Sequence, residues 1–599
     1  MSMASLDINM IESLAGPEPE IVPFKTPQSY LAPRAALEAE IDKYYAQVMR
    51  LGQQINTCSS LSILPPEVLV EVFRQYAMLY EEEEDNVTGA DVWLGGVKPY
   101  KWLGITHVCH HWRELALNTP RLWARIPVHA KDKVVKEMVA RAKDAPLIVK
   151  ANLTTNLPLI GRFYDIFNKH IHHVASLDIQ LRGFTLSDLF TAGASAPLMH
   201  SFTFRDVSGG TANWPAIRGL FSRSLPSMEY VSIRCEMLQW EPAIFLPTLK
   251  ELKLECARYD PNQAGRGRFI NSGGPPRHPT WVEFYDAMQK MPYLRELDLE
   301  NAFPVDPPNR ANSPNEPLHF PSLKDLLIFG NAKECADFLN HVSLPLRCGI
   351  LVRVTLDPGE TVSMVGPAVR RQVEAWDRKP VRLVGTSKDA DSDPLRSLTI
   401  SDIHAHAVLF RAWSFVFTDP ANVVRLPHMQ QEKLTLSLIS DRTPAATLLE
   451  GFASSLCGST LHTLCLEPLD GMSEKVWISV LREMPNLHML YVSRQSGHRI
   501  PAVLSVQVPD GGARKPILPN LKDLLFDGID FSATLPGEAG VDAEFGTRLR
   551  RALDVRKRAG AMVAELIVTN CSNVRKTEMK IIEGLVGLVE CESITVTRR

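Results

Sequence analysis

LSILPPEVLVEVFRQYAMLY at residues 61–80, and LGITHVCHHWRELALNTPRLWARIPV at residues 103–128, decide how the rest of the chain reads. In the first block Pro65 and Pro66 precede an apolar-periodic run, and proline suits a first helical turn, where its missing N–H is not needed. Val68, Leu69, Val72, Phe73 and Tyr76 recur at three- and four-residue steps, which predicts one apolar helical stripe. In the second block Ile105, Val108, Cys109, Trp112, Leu115 and Ala116 fit one helical face. Pro120 ends that helix, because the residue before a proline is driven out of the α region. Leu122, Trp123 and Ile126 follow as a short aromatic clamp. Helices this short bury little surface. So much apolar matter in so little chain implies a partner face as well as a core.

The order LPPEVLxEVF…VCHHWRELALNTPRLW resembles the F-box, most closely the version found in large families of fungal F-box proteins. The likeness covers about seventy residues of the chain. It implies a trihelical domain that docks onto the Skp subunit of a cullin-based SCF ubiquitin ligase. Leu64, Pro65, Val68, Leu69, Phe73, Val108, Cys109, Trp112 and Trp123 occupy the family's motif positions and are the expected Skp-binding residues. An ordinary helical hairpin is the alternative. Residues 81–99, acidic and then glycine-containing, depart from the family's spacing and are expected to loop out as solvated chain.

The whole chain sets bounds. At 599 residues it exceeds one compact domain, so several domains or a repeat array are expected. A hydrophobic fraction of 45% and a charged fraction of 22% are those of a globular protein. The net charge of −3 argues against a phosphate-tracking nucleic-acid binder. No apolar run reaches membrane-spanning length. The N-terminus lacks the basic and apolar regions of a secretory signal. The ten cysteines are scattered with no CxxC pair, and read as buried hydrophobes in a reducing compartment. The expected location is cytoplasmic, nuclear or both.

Taken in order, residues 1–28 read as a flexible lead and 29–57 as a helix. There Leu37, Ile41, Tyr44, Val48, Leu51 and Ile55 step 4-3-4-3-4, a coiled-coil seam. The expectation is that this helix packs on the F-box-like segment or on the next domain; a dimerisation helix is the sharper alternative. A heptad-like helix often precedes this type of F-box. Residues 58–128 form the F-box-like domain.

From 129 to 599 one phrase recurs: proline, any residue, apolar, two residues, apolar, one residue, apolar. It reads PLMHSFTF, PSMEYVSI, PTLKELKL, PYLRELDL, PSLKDLLI, PNLHMLYV and PNLKDLLF, with versions lacking the proline. The middle apolar positions are Leu177, Phe202, Val231, Leu252, Leu297, Leu326, Leu398, Leu464, Leu490, Leu524, Leu566 and Ile594; Val354 and Leu436 mark weaker copies. LxxLxL is the grammar of a leucine-rich repeat, a short strand whose leucines face a continuous core. Amphipathic helices are expected at 281–290, 332–342, 445–456, 476–484 and 576–589. Strand then helix, repeated, requires a parallel sheet with right-handed crossovers, and each unit needs a neighbour to cover its apolar face. The fold class is therefore α/β: a short all-helical F-box followed by an irregular leucine-rich-repeat solenoid with its parallel sheet on the concave face. F-box proteins of this type commonly carry such repeats. Residues 258–280, 302–317, 357–394, 496–516 and 531–544 read as loops.

No catalytic constellation stands out, so a non-enzyme without cofactor or metal is expected. His107, Cys109, His110 and His111 cannot all share one helical face as a metal site needs. His404 and His406 lack a third ligand, and His170, His172 and His173 read as surface residues. GRGRF near Gly265 lacks the order of a phosphate loop. The function these readings favour is a substrate-receptor subunit of an SCF-type ligase, which holds a client near a charged ubiquitin carrier. A leucine-rich scaffold in a non-degradative Skp assembly is the alternative. A third reading is a hydrolase within 357–394 and 401–440, which would need a deep pocket lined by perturbed acids. Strand alternation selects Glu296, Asp298 and Glu300 to steer a client with basic and apolar features, and Phe329, Tyr491 and Leu525 to anchor it.

Overall fold

The computed structural model describes residues 31–85, 101–128, 131–153, 157–181, 186, 195–206, 213–256, 277–305, 317–377, 394–417, 432–453, 455, 458–469, 471–510, 513–535, 541–592 and 594. The expected lead 1–28, residues 86–99 of the insert, and 258–276, 306–316 and 378–393 of the expected loops lie outside them. The chain divides into two compact units, Met1–Arg125 with Ala130–Ala145, and Ile126–His129 with Pro146–Arg599. No described helix is long and apolar enough to cross a membrane.

The first unit is helical: α1 (Leu31–Thr57), α2 (Pro66–Asp85), α3 (His110–Leu117), α4 (Pro120–Trp123) and α5 (Asp132–Ala142), with 3-10 turns at Ser60–Ile63 and Lys101–His107. Pro66 opens α2, and the Pro65 carbonyl accepts the Val68 and Leu69 N–H groups. The α2 backbone stays helical to Asp85, so the first residues of the expected insert extend a helix rather than loop out. The expected single helix carrying Ile105 through Ala116 is broken. The 3-10 turn ends at His107, and Cys109 is an extended N-cap whose Sγ accepts the Trp112 N–H at 3.4 Å. Along α1 no side chain is buried. Leu37, Ile41, Tyr44, Val48, Leu51 and Ile55 are 41–72% exposed, so the seam does not pack on the rest of the unit as expected.

The second unit is mixed α/β around one large, mostly parallel sheet. Its strands are β1 (Arg125–Pro127), β2 (Leu147–Leu153), β3 (Val174–Leu181), β4 (Ser201–Asp206), β5 (Tyr230–Cys235), β6 (Glu251–Cys256) and β7 (Glu296–Glu300), then β9 (Asp325–Asn331) after the short β8 (Leu318–His319). There follow β10 (Val342–Ser343), which pairs β8, β11 (Gly349–Leu356), β12 (Ser397–His404), β13 (Ala407–Trp413), β14 (Leu434–Ser440), β15 (Thr463–Leu466) and β16 (Met489–Ser493). The hairpin β17 (Gln507–Asp510) and β18 (Ala513–Pro516) precedes β19 (Asp523–Asp527), β20 (Glu565–Thr569) and β21 (Leu588–Glu592). From β2 to β11 each sheet strand pairs in parallel with the next.

The register explains why the phrase recurs. Leu177, Phe202, Val231, Leu252, Leu297 and Leu326 lie side by side in one row, each 0% exposed. The row resumes through Leu398, Leu464, Leu490, Leu524 and Leu566. A fully buried leucine stabilises by about 1.5–3 kcal/mol relative to exposure, and here each is covered only because its neighbours stack in register. Helices pack on this sheet and on each other, as the helix Ala332–His341 does on β9 and β11. Asn331 and Glu334 close a capping box at the start of that helix, and Thr280 and Glu283 do the same for the helix Trp281–Gln289. Phe284 and Phe338 join the two helices edge to face at 5.8 Å.

Several expectations are corrected. β13 runs antiparallel to both β12 and β14, and the spatial order is β11–β14–β13–β12–β15. His404 and His406 flank the β12–β13 turn. The stretch 357–394 holds a helix, Val362–Asp377, despite Pro367, because Val365, Ala368, Val369, Val373 and Trp376 bury one apolar face. Of the expected loop 496–516, residues 496–510 and 513–516 form helical turns and the paired strands β17 and β18, while 511–512 lie outside the described residues. The last helix ends at Glu583, and Val589, not Ile594, pairs with Leu566. His173 is buried rather than superficial: it stacks on His172 at 4.5 Å, and its Nε2 lies 3.0 Å from His170 Nδ1.

Candidate functional site

Each unit presents one candidate surface. On the helical unit the expected single stripe of α2 splits in two. Leu69, Phe73 and Ala77 point inward and are 0–6% exposed. Phe73 meets the Trp112 ring at 5.0 Å, Trp102 meets Trp123 at 5.2 Å, and Trp123 Nε1 donates to the Ala116 carbonyl at 2.8 Å. Arg141 sits 4.4 Å over the Trp123 ring. These contacts make Leu69, Phe73 and Trp123 core residues of the unit. Leu64, Cys109 and Trp112 are half-buried, while Pro65, Val68 and Val108 are exposed.

The outward side of α2 is apolar as well. Val68, Val72 and Leu79 are 43%, 47% and 62% exposed and follow one helical face. They line a groove of about 580 Å³ with Glu67, Glu71, Gln75 and Tyr76. Hydrogen bonds from Arg74 and Gln75 hold the Glu71 carboxyl down at about 2, so this rim stays anionic. Beside α2, Leu61, Ile63 and Val108 are 49%, 82% and 57% exposed. A second groove, about 530 Å³, runs past Leu61, Val108, Cys109 and Trp112. Sequence reasoning did not single out Leu61, Ile63 or Leu79 as site residues. The signal that could have found them is the four-residue step Val68–Val72 running beside the buried Leu69–Phe73–Ala77 step.

On the second unit, the strand positions between the core leucines of β5, β6 and β7 form charged rows. Glu251 lies beside Glu296, Lys253 beside Asp298, and Glu255 beside Glu300. Lys253 Nζ pairs with Glu296 at 2.5 Å and Arg234 with Glu255 at 3.1 Å. Burial pushes the Asp298 carboxyl up to about 6; Glu296, Glu300 and Glu255 reinforce the shift and Lys253 opposes it. Burial, then Glu255, also raises Glu300. Phe329 continues the Glu255–Glu300 row, half-buried beneath the Arg353 guanidinium at 4.7 Å. Glu296, Asp298, Glu300 and Phe329 are thus brought together on neighbouring strands.

Tyr491 and Leu525 do not join them. They are 2% and 6% exposed and pack with Cys465 and Ile567 in one cluster. Here the intervening strand positions are themselves apolar and stand in register, so they cover one another. Tyr491 Oη donates to Asp527 at 3.1 Å, and burial holds the phenol protonated. Neither residue is available as a surface anchor.

Burial lifts the thiols of Cys348 and Cys465 to about 12 and that of Cys571 to about 11, which leaves them protonated and poor nucleophiles. A cavity in the stretch considered for a hydrolase holds only about 10 Å³ and is lined by apolar side chains and Ser455. That lining supplies no acid–base pair. Among the described residues no cluster of three or more His, Cys, Asp or Glu could hold a metal ion. No family model matches the chain, and a comparison with curated proteins returns no match.

Proposed function

We propose that the chain is a substrate-receptor subunit of an SCF-type cullin ubiquitin ligase. In this reading α2, the turn before it and Val108 form the Skp-docking face of an F-box. The strand array is an irregular leucine-rich-repeat solenoid that presents the charged rows of β5, β6, β7 and β9 to a client protein. The chain performs no bond chemistry; it raises the effective concentration of a client beside a charged ubiquitin carrier.

The observation that carries the proposal is the outward apolar row Leu61, Ile63, Val68, Val72, Leu79 and Val108 on the segment with the F-box-like residue order. An apolar face rimmed by polar residues marks a partner surface. The client is expected to carry basic and apolar features that match Glu296, Asp298, Glu300 and Phe329. The test is co-migration of the purified chain with a purified Skp subunit on size exclusion at micromolar concentration. A stable complex that is lost in the variant Val68→Asp with Val72→Asp supports the reading; wild-type chain that elutes apart from the Skp subunit overturns it.

A further inference from the structure

The seam of α1 is built for a symmetric partner. In heptad terms Ile41, Val48 and Ile55 fall at a positions, and Leu37, Tyr44 and Leu51 at d. β-branched residues at a with leucine at d favour two parallel strands, since each layer then meets its own copy in unstrained rotamers. Among the described residues nothing covers this face, and no residue of α1 is buried. The e positions hold Glu38, Tyr45 and Gly52, and the g positions Glu40, Gln47 and Gln54. In a parallel pair Glu40 would meet Tyr45 of the other copy and Gln47 would meet Gly52, so no like charges oppose. Arg34 is engaged on its own helix by Glu38 at 2.8 Å.

The area is sufficient. The seam exposures of 41–72% amount to roughly 650 Å² per helix, or about 1,300 Å² for a pair, within the ~1,200–2,000 Å² of specific protein interfaces. We propose that α1 pairs with α1 of a second copy of this chain in a parallel two-stranded coiled coil. The paired state carries two copies of the strand surface, which gives avidity toward any client with two sites. This proposal does not rest on the ligase reading, and either stands if the other fails.

One consequence is specific to the parallel arrangement. Cys58 is exposed and lies one heptad beyond Leu51, just past the end of the helix. In a parallel pair the two Cys58 thiols come together; in an antiparallel pair they sit at opposite ends of a helix about 40 Å long. The experiment uses the purified full chain. Light scattering on size exclusion should give twice the chain mass at tens of micromolar. Ile41→Asp with Val48→Asp should weaken self-association by at least about 100-fold, since a charge buried in an apolar seam is unpaired; the circular-dichroism melt should lose only the α1 contribution, with the main transition of the strand-bearing unit unchanged. Ala46→Asp, on the outer face, should leave the dimer intact. A short bis-maleimide, whose two ends each alkylate one thiol, should link wild type but not Cys58→Ser. A monomeric wild-type chain, a dimer that survives the double substitution, or a dimer in which Cys58 does not cross-link each overturns the proposal.

Discussion

The division of α2 into an inner and an outer apolar face makes a quantitative demand. Phe73 is 0% exposed and packs its ring at a tilt against Trp112, 5.0 Å between centroids. Phe73→Ala should cost about 3–5 kcal/mol of stability in the helical unit. Val68 and Val72 face outward at 43% and 47% exposure. Replacing both with Asp gives up the part the fold already covers, a little over half of about 1.5–3 kcal/mol each, so the pair should cost about 2 kcal/mol of stability, less than Phe73→Ala alone. A second effect belongs to binding. Full burial of a valine is worth about 1.5–3 kcal/mol, and almost half remains to be gained, so each contributes about 1 kcal/mol to a docked partner. Together that is about 2 kcal/mol, or roughly 30-fold in Kd. Two buried carboxylates would add to the loss. Urea unfolding followed by tryptophan fluorescence reads the first quantity, and titration calorimetry with the Skp subunit reads the second. If the valine pair costs as much stability as Phe73→Ala, about 3–5 kcal/mol, or leaves Kd within about 3-fold of wild type, the assignment of the two faces is wrong.

Other outcomes follow from single residues. Asp298 is raised to about 6 when folded, against about 3.9 for an unperturbed Asp. Its stability contribution is therefore complete below pH 4 and is lost as pH rises through 6. Asp298→Asn should flatten that slope, with its largest gain in melting temperature above pH 6; an equal gain at pH 4 and pH 8 would contradict the assignment. Tyr491→Phe should lose only the hydrogen bond to Asp527, about 0.5–1.5 kcal/mol, whereas Tyr491→Ala should lose about 3–5 kcal/mol; similar denaturant midpoints for the two would rule out a packed Tyr491. Arg556 is fully buried and donates to the Ile517 and Leu518 carbonyls at 2.7 and 2.8 Å. Arg556→Met should cost at least about 1–3 kcal/mol by stranding both acceptors, and a variant as stable as wild type would show that those carbonyls find other partners.

The core row from Leu177 to Leu566 was legible because strand spacing and leucine chemistry state the same thing at every copy. Which residues stay exposed was less legible. Tyr491 and Asp298 occupy equivalent strand positions, each one residue past the core leucine, yet one is packed and the other half-exposed. The difference lies in their neighbours: Cys465 and Leu525 flank Tyr491, while Lys253 and Leu327 flank Asp298. Alternation gives the side of a strand but not what stands beside it across the sheet. The α2 stripe failed for a related reason. Steps of three and four residues cover more than half of a helix, so Val68 and Leu69 looked like one face. The helix Val362–Asp377 was hidden by its proline and by Gly366, which tucks against Ser455, where a Cβ would come within 2.3 Å of Oγ. The reversal of β13 was illegible because LRSLTI at residues 395–400 reads the same whichever strand lies beside it.

That reversal has a kinetic meaning. Up to β11 each strand finds its partner in the strand just before it, so order can spread along the chain by short closures. At β11 this stops: its next neighbour is β14, while β12 waits for β15. The three strands β12, β13 and β14 must assemble as a block before anything beyond them can add to the growing edge. The expected outcome is slower folding near residue 357, where a non-local pairing has to be closed before its contacts repay it. Amide protection in pulsed exchange should develop on β3–β9 separately from β15–β20. A single protection rate across both stretches would show that the array folds through the reversal without noticing it.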